Sequence, residues 1–457
     1  MNKKEILENI FTNTISIDEG INALKKLSKD DTIIFNNPIY KKIVQTIAPF
    51  INDNEENIKD SGALFSNVEY FGRLLLLRFF QDNGFFLKSK ERVDKGAIKT
   101  KIRLDDKYSK LFETLLLILE KEDIITIDDN VITTTDKAES QKLKNDLDNA
   151  ESFKKNLINK YPDMTSHFNL LEICISNYGN ILSGDKSPDG IMFPVYSMEL
   201  VEGIFRGNIL ADYFNDLISD FAVNYIKEIR KGSPDRTIKI IEVGAGTGGT
   251  SVKLMESVKN FDKIEYFFTD MSKVFTRSCE KKFKPLFPNV VFKKLDIEGN
   301  LNEQGFETGS FDLVVGSNVI HSTKNLSTTL SNVKSLLIEK GFFLLNEVTA
   351  VQDFTTLTFG LLAGWRDFVD SELRMPNSPL LDINGWLRLL KTMNFANPIA
   401  LSTSHQDKPD SFSQTLFVCE KNDNDKQLIE VLQNLSKKVI SINEADESIL
   451  IESNDLL

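Results

Sequence analysis

The stretch Ile238-Lys239-Ile240-Ile241-Glu242-Val243-Gly244-Ala245-Gly246-Thr247-Gly248-Gly249-Thr250 decides the fold. IKIIEV is a short apolar run rich in isoleucine, which suits a buried strand. Glycines follow at once, and helix-forming sequence follows them. Gly244, Gly246 and Gly249 satisfy the spacing G-x-G-x-x-G. Such glycines permit a tight turn and let a ligand approach the backbone at a helix N-terminus.

Downstream, four more apolar runs read as strands: KIEYFFTD (Lys263 to Asp270), VVFKKLD (Val290 to Asp296), FDLVVGSNVI (Phe311 to Ile320) and GFFLLNEVT (Gly341 to Thr349). Helical segments separate most of them, so the pattern predicts βαβ units and a parallel sheet. PIALST (Pro398 to Thr403) and SQTLFVCEK (Ser413 to Lys421) predict a closing antiparallel hairpin. The glycine spacing alone fits NAD, FAD, S-adenosylmethionine or a bare turn. The strand-end acids narrow the choice. Glu242 would repel a pyrophosphate but can meet the ammonium of a methionine moiety. Asp270 can accept hydrogen bonds from both ribose hydroxyls, and Asp296 can hold the adenine amino group.

Upstream, residues 1–62 read as a helical linker or docking-like segment, with the polar, turn-rich Asn52 to Gly62 as linker. Residues 63–236 read as a mostly helical lid domain. Val68 to Phe86 is too densely apolar for a surface helix. A helix ending near Glu122 and a hairpin around Asp128-Asp129-Asn130 resemble a winged helix. Their flanks are not richly basic, so packing or a lid role fits better than DNA binding. Met198 to Ile229 reads as one helical stretch, ended by Gly232-Ser233-Pro234. Residues 237–421 carry the core, and 422–457 read as an acidic linker or tail.

The chain has 457 residues, 41% of them hydrophobic, and a net charge of −12. That suits two or three domains and opposes non-specific binding to nucleic acid or an anionic membrane. Cys174, Cys279 and Cys419 are far apart, which predicts neither a disulfide framework nor a zinc site, and no cluster has metal-ligand spacing. No apolar run approaches the roughly 18 residues of a membrane span, and no targeting segment is visible. A soluble cytoplasmic protein is expected.

The segments EVGAGTGG, TDMS, LDIE, FDLVVGSNVIHSTKNLSTTLSNVKSLL, NEVTAVQDFTTLTFGLLAGW and SPLL resemble the C-methyltransferase domains of modular polyketide synthases, especially those served by separate acyltransferases. The resemblance runs from roughly residue 65 to 421. It implies a class I methyltransferase (Rossmann-like) α/β fold: a seven-stranded, mostly parallel sheet with an antiparallel last strand, preceded by a mostly helical lid. It implies S-adenosylmethionine as cofactor, leaving as S-adenosylhomocysteine, and no metal. Ala245, Met271, Ile297 and Asn318 join Glu242, Gly244, Gly246, Asp270 and Asp296 as cofactor-binding positions. Phe359, Trp365 and Tyr213 are implied on the substrate side. His321 and Glu347 end adjacent strands and are implied as base and orienting partner, since a neutral imidazole suits an α-proton between two carbonyls. His167 and His405 have no such context and are read as structural. Arg366 stands where the family usually has a second aromatic after Trp365, and Phe205 where a tyrosine is expected. These departures bear on substrate fit rather than on cofactor binding.

The implied activity is methylation of the α-carbon of a β-ketoacyl chain on an acyl carrier protein. That carrier, with its phosphopantetheine arm, and neighbouring polyketide synthase domains are the expected partners. An acidic carrier predicts lysines and arginines near the pocket mouth. O-methylation of a carrier-bound chain, or a non-catalytic dinucleotide-binding domain, would share most of these motifs.

Overall fold

The computed structural model describes residues 37–194, 198–402 and 413–421. Residues 1–36 of the expected segment 1–62, the expected tail 422–457, and His405 lie outside the described residues. Within the lid, Arg92–Asp94 (β1), Ile125–Asp128 (β2) and Val131–Thr134 (β3) form a small antiparallel sheet ordered β1-β3-β2. The large sheet holds β4 (Ile238–Val243), β5 (Ile264–Asp270), β6 (Val291–Lys294), β7 (Phe311–Ser317), β8 (Leu337–Val348), β9 (Phe395–Ser402) and β10 (Gln414–Lys421). Its order is β6-β5-β4-β7-β8-β10-β9. From β6 to β8 all pairs are parallel, and β10 runs antiparallel to β8. Chain order reverses at β4, which has β5 on one side and β7 on the other. Strand ends at such a reversal leave a crevice, where α/β sheets bind ligands. Ile240, Ile241, Leu313, Val314 and Phe343 are fully buried, as strands covered on both faces require.

The lid is built on α1 (Pro38–Asp82). This helix runs straight through Asn52 to Gly62, where the sequence reads as a turn-rich linker. Polar residues lower helix propensity by only a few tenths of a kcal/mol each, too little to interrupt a helix anchored at both ends. Near its start, Tyr40 donates its hydroxyl to the carbonyl of Val418 at 2.7 Å, on β10. Near its end, Val68, Phe71, Leu76, Leu77 and Phe80 are buried with α2 (Ser109–Lys121) and α3 (Thr165–Ser176) in one apolar core. The helical stretch expected over Met198 to Ile229 holds two helices, α4 (Glu199–Phe205) and α5 (Ile209–Gly232). Gly207 breaks it at φ +77°, and the Asn208 side chain restarts it by accepting the Ala211 N–H at 2.9 Å.

The chain after β8 joins the two layers. Phe354, Leu357 and Leu361 leave the large sheet and complete the lid's apolar core. A buried ionic cluster fixes the crossing. Glu69 accepts the N–H groups of Asp353 at 3.0 Å and Phe354 at 2.8 Å. Arg73 bonds Asp353 at 2.6 Å and Glu122 at 2.8 Å. Replacing Arg73 with methionine keeps the volume and leaves the buried Asp353 carboxylate without its cation. It should lower stability by about 3–5 kcal/mol, read as a fall in the urea midpoint at unchanged slope. An unshifted midpoint would show that the cluster contributes nothing to joining the layers.

Candidate active site

β4 ends at Val243 and the chain turns immediately. Gly244 and Gly246 have φ of +64° and +54°, a region that favours glycine. At Gly244 space forbids anything larger, because a Cβ would lie 2.2 Å from a methyl of Val319. At Gly246 the nearest such atom is 3.9 Å away, so that side of the turn is open. Asp270, at the end of β5, holds the turn. Its carboxylate accepts the Gly246 N–H at 2.9 Å and the Ser272 N–H at 2.7 Å. Burial raises its pKa, partly offset by these donors. Glu242 accepts the hydroxyls of Ser251 and Tyr266 at 2.5 Å each. Burial pushes its pKa up to about 7, against the pull of the two hydroxyls. Thr247 Oγ1 is buried nearby without a protein partner. An open glycine cradle, two carboxylates and an orphaned hydroxyl suit a ligand with an ammonium group and a ribose. They would repel a pyrophosphate.

Beyond β7, Asn318 takes φ +51°. Its side-chain oxygen accepts the Val348 N–H at 3.1 Å, which ties the loop to β8. Glu347 on β8 is fully buried. One carboxylate oxygen accepts the N–H groups of Ile320 at 2.9 Å and His321 at 3.3 Å. The other meets His321 Nδ1 at 2.5 Å. A neutral ring therefore carries its proton on Nδ1 and leaves Nε2 as acceptor. Trp365 stands edge-on to the imidazole at 5.8 Å. From behind, the buried Arg374 donates to the carbonyls of His321 at 2.5 Å, Thr323 at 2.7 Å and Pro379 at 2.8 Å, and it pairs with Asp370.

A cavity of about 640 Å3 connects the glycine turn with His321. Glu242, Gly244, Ala245, Gly246, Asp270, Met271, Asn318, His321, Phe359 and Trp365 line it. Glu347 stands behind His321. Asp296, Ile297 and Tyr213 are not in its wall. β6 stops at Lys294, so Asp296 does not end the strand as its sequence suggests. It shapes a turn instead, accepting the Glu298 N–H at 3.0 Å. Ile297 belongs to the apolar core under the sheet. Tyr213 packs edge-on against Phe214 at 4.9 Å. Among the described residues, no lysine or arginine lines the cavity. Arg366 instead lies over the Tyr108 ring of the lid at 4.3 Å, and Phe205 meets Phe359 at 5.8 Å.

Sequence reasoning missed several wall residues. Asn346 precedes Glu347 and could have been found from its strand-end position. Gln414 donates to the Asn346 side chain at 2.8 Å, but only the antiparallel return of β10 brings it there. Gln352 and His167 also line the cavity, and no local pattern marks either.

A family model described as "Methyltransferase domain" matches residues 234–377. Polyketide synthase PksR of Bacillus subtilis is 39% identical over 235 residues, which cover 51% of this chain and 9% of PksR. The chain thus spans under a tenth of that protein. Methyltransferase calH of Penicillium decumbens is 31% identical over 259 residues, covering 51% of this chain and 69% of calH. A solved structure of trans-methyltransferase CalH is a complex with SAH. The crystal structure of DszA carbon methyltransferase matches with a TM-score of 0.76 at 32% identity, covering 83% of this chain and 96% of that one. With this fold, this glycine turn and these relatives, the chain belongs to the family of S-adenosylmethionine-dependent methyltransferase domains found in polyketide synthases.

Proposed function

We propose that this domain methylates the α-carbon of a β-ketoacyl chain held as a thioester on the phosphopantetheine arm of an acyl carrier protein, within a polyketide synthase. The observation that carries the reading is the Glu347-held imidazole of His321 in the same cavity as the glycine turn. Kinship with the DszA carbon methyltransferase favours carbon over oxygen as the acceptor. Kinship with PksR favours a synthase setting and hence a carrier. Glu242, Gly244, Ala245, Gly246, Asp270, Met271 and Asn318 would hold the cofactor. Phe359 and Trp365 would face the acceptor.

The residues suit the chemistry. His321 Nε2 removes the α-proton, and the buried Glu347 carboxylate stabilises the resulting imidazolium through Nδ1–H. Three bonds to one carboxylate hold backbone and ring together, so the base needs no reorganisation when the acceptor arrives. Trp365, Phe359 and Phe354 exclude water from the carbanion. When bound, S-adenosylmethionine supplies a methyl on a sulfonium leaving group, so no acid is required of the protein.

Four outcomes are expected. His321→Ala should cut turnover by about 10²–10⁴-fold with little change in cofactor affinity. Glu347→Gln should also be damaging, and the double variant little worse than the worse single one. Mass spectrometry of a carrier-bound β-ketoacyl substrate, with NMR to place the methyl, checks both. Near wild-type turnover by His321→Ala would overturn the base, and an O-methyl product would overturn the carbon acceptor. Asp270→Ala should weaken cofactor binding by about 1.5–3 kcal/mol by calorimetry, and unchanged affinity would place the ribose elsewhere. Finally, a cationic amine beside Glu242 favours its ionised form. With its free pKa raised to about 7, binding should release protons near neutral pH and tighten as pH rises through that value. Calorimetry in buffers of different ionisation heat reads this. No proton release would remove Glu242 from the ammonium.

A further inference from the structure

The acceptor end of the cavity is walled by aromatic rings that lead away from His321 into the lid. Trp365 stands against His321, and Phe359 packs against the Trp365 cluster. Phe354 lies 6.4 Å from Phe359. His167, on α3, lies 5.1 Å from Phe354 and edge-on to Phe65 at 6.0 Å. Rings alone would suit a fully reduced hydrocarbon chain. Two polar side chains break this wall.

His167 is 3% exposed, and its Nδ1 is buried with no hydrogen-bond partner. Burial pushes its pKa down to about 3, so the ring is neutral and offers one donor and one acceptor. Gln352 is 4% exposed, and its Nε2 is likewise buried without a partner. Its backbone carbonyl is well satisfied, accepting the hydroxyls of Thr355 at 2.9 Å and Thr356 at 3.0 Å. Both residues line the cavity. An unpaired buried polar group costs about 1–3 kcal/mol, and phenylalanine and leucine would fill the same volumes without it. The two ends of the Gln352 amide are interchangeable by a flip, as are the two faces of the His167 ring.

We propose that His167 and Gln352 form a recognition subsite for an oxygen function on the growing chain, beyond the β-keto group. The preferred acceptor is then an oxygen-bearing acyl chain, with a hydroxyl or ketone several carbons from the methylated carbon. A hydroxyl donates to one of the two groups and accepts from the other; a ketone accepts from either. This rests on the reading of the cavity as an acyl site. Chain assembly in two-carbon steps leaves oxygens on alternate carbons, so the preference should depend on position.

The test compares pantetheine thioesters of β-ketoacyl chains of equal length, plain or with one hydroxyl at the δ, ζ or next alternate carbon. Wild-type protein should prefer one hydroxylated chain by about 10–100-fold in kcat/KM, the worth of satisfying one or two buried groups. His167→Phe, which keeps the ring contacts, and Gln352→Met should each bring that ratio towards one. Cofactor affinity in the same samples checks that the variants are folded. Binding of non-reactive amide analogues to protein saturated with S-adenosylhomocysteine reads the same preference without turnover. Equal affinity of the wild type for plain and hydroxylated analogues would overturn the subsite, as would a ratio that survives both substitutions. Preferential binding with no methylation of any chain would instead overturn the proposed reaction and leave the subsite standing.

Discussion

The buried carboxylate of Glu347 is the constraint from which the rest of the site follows. It sits on β8, an interior strand of the sheet, removed from water, and must be satisfied by the protein. Two backbone N–H groups and the ring of His321 do so. One side chain therefore sets the loop after β7, the position of the imidazole and its tautomer together. The same loop carries Val319, whose side chain lies against Gly244. The loop that presents His321 is thus also the wall that demands glycine in the turn after β4. Arg374 holds the loop from the opposite side through its carbonyls. The Asp370 partner of Arg374 accepts the N–H of Leu326, at the start of the next helix, at 2.7 Å.

A second constraint closes the cavity. The chain leaving β8 serves the sheet through Glu347 and the lid through Phe354, Leu357 and Leu361. Its crossing point, at Asp353, is where Glu69 and Arg73 concentrate buried charge. This makes the aromatic end of the cavity a joint product of lid and core. The departures from the family pattern fall on that wall and beside it. Phe205 removes a hydroxyl where a tyrosine is expected. Arg366 turns outward to the lid's Tyr108, while polarity re-enters the wall at His167 and Gln352.

Much of this architecture was legible in the sequence because it is local. Strand and helix periods set the seven strands, and a glycine cluster directly after an isoleucine-rich strand set the turn. Asp270, His321 and Glu347 were legible because parallel strands end on one edge, so strand-end residues on neighbouring strands meet. Asp296 lies two residues beyond the end of β6, and its carboxylate accepts a turn N–H. The strand-end rule said nothing of Tyr213, which lies within a helix and whose neighbours depend on how that helix is rotated.

By itself the sequence determined a class I methyltransferase sheet, its glycine turn and a paired histidine and glutamate. Those features depend on backbone hydrogen-bonding periods and on turn geometry, which a few adjacent residues encode. Only the tertiary structure decided the far wall of the cavity. His167 comes from the lid, Gln352 from the crossing segment and Gln414 from an antiparallel strand near the chain's end. Whether a polar atom faces a cavity or a partner depends on packing between segments distant in sequence, and no local pattern records it.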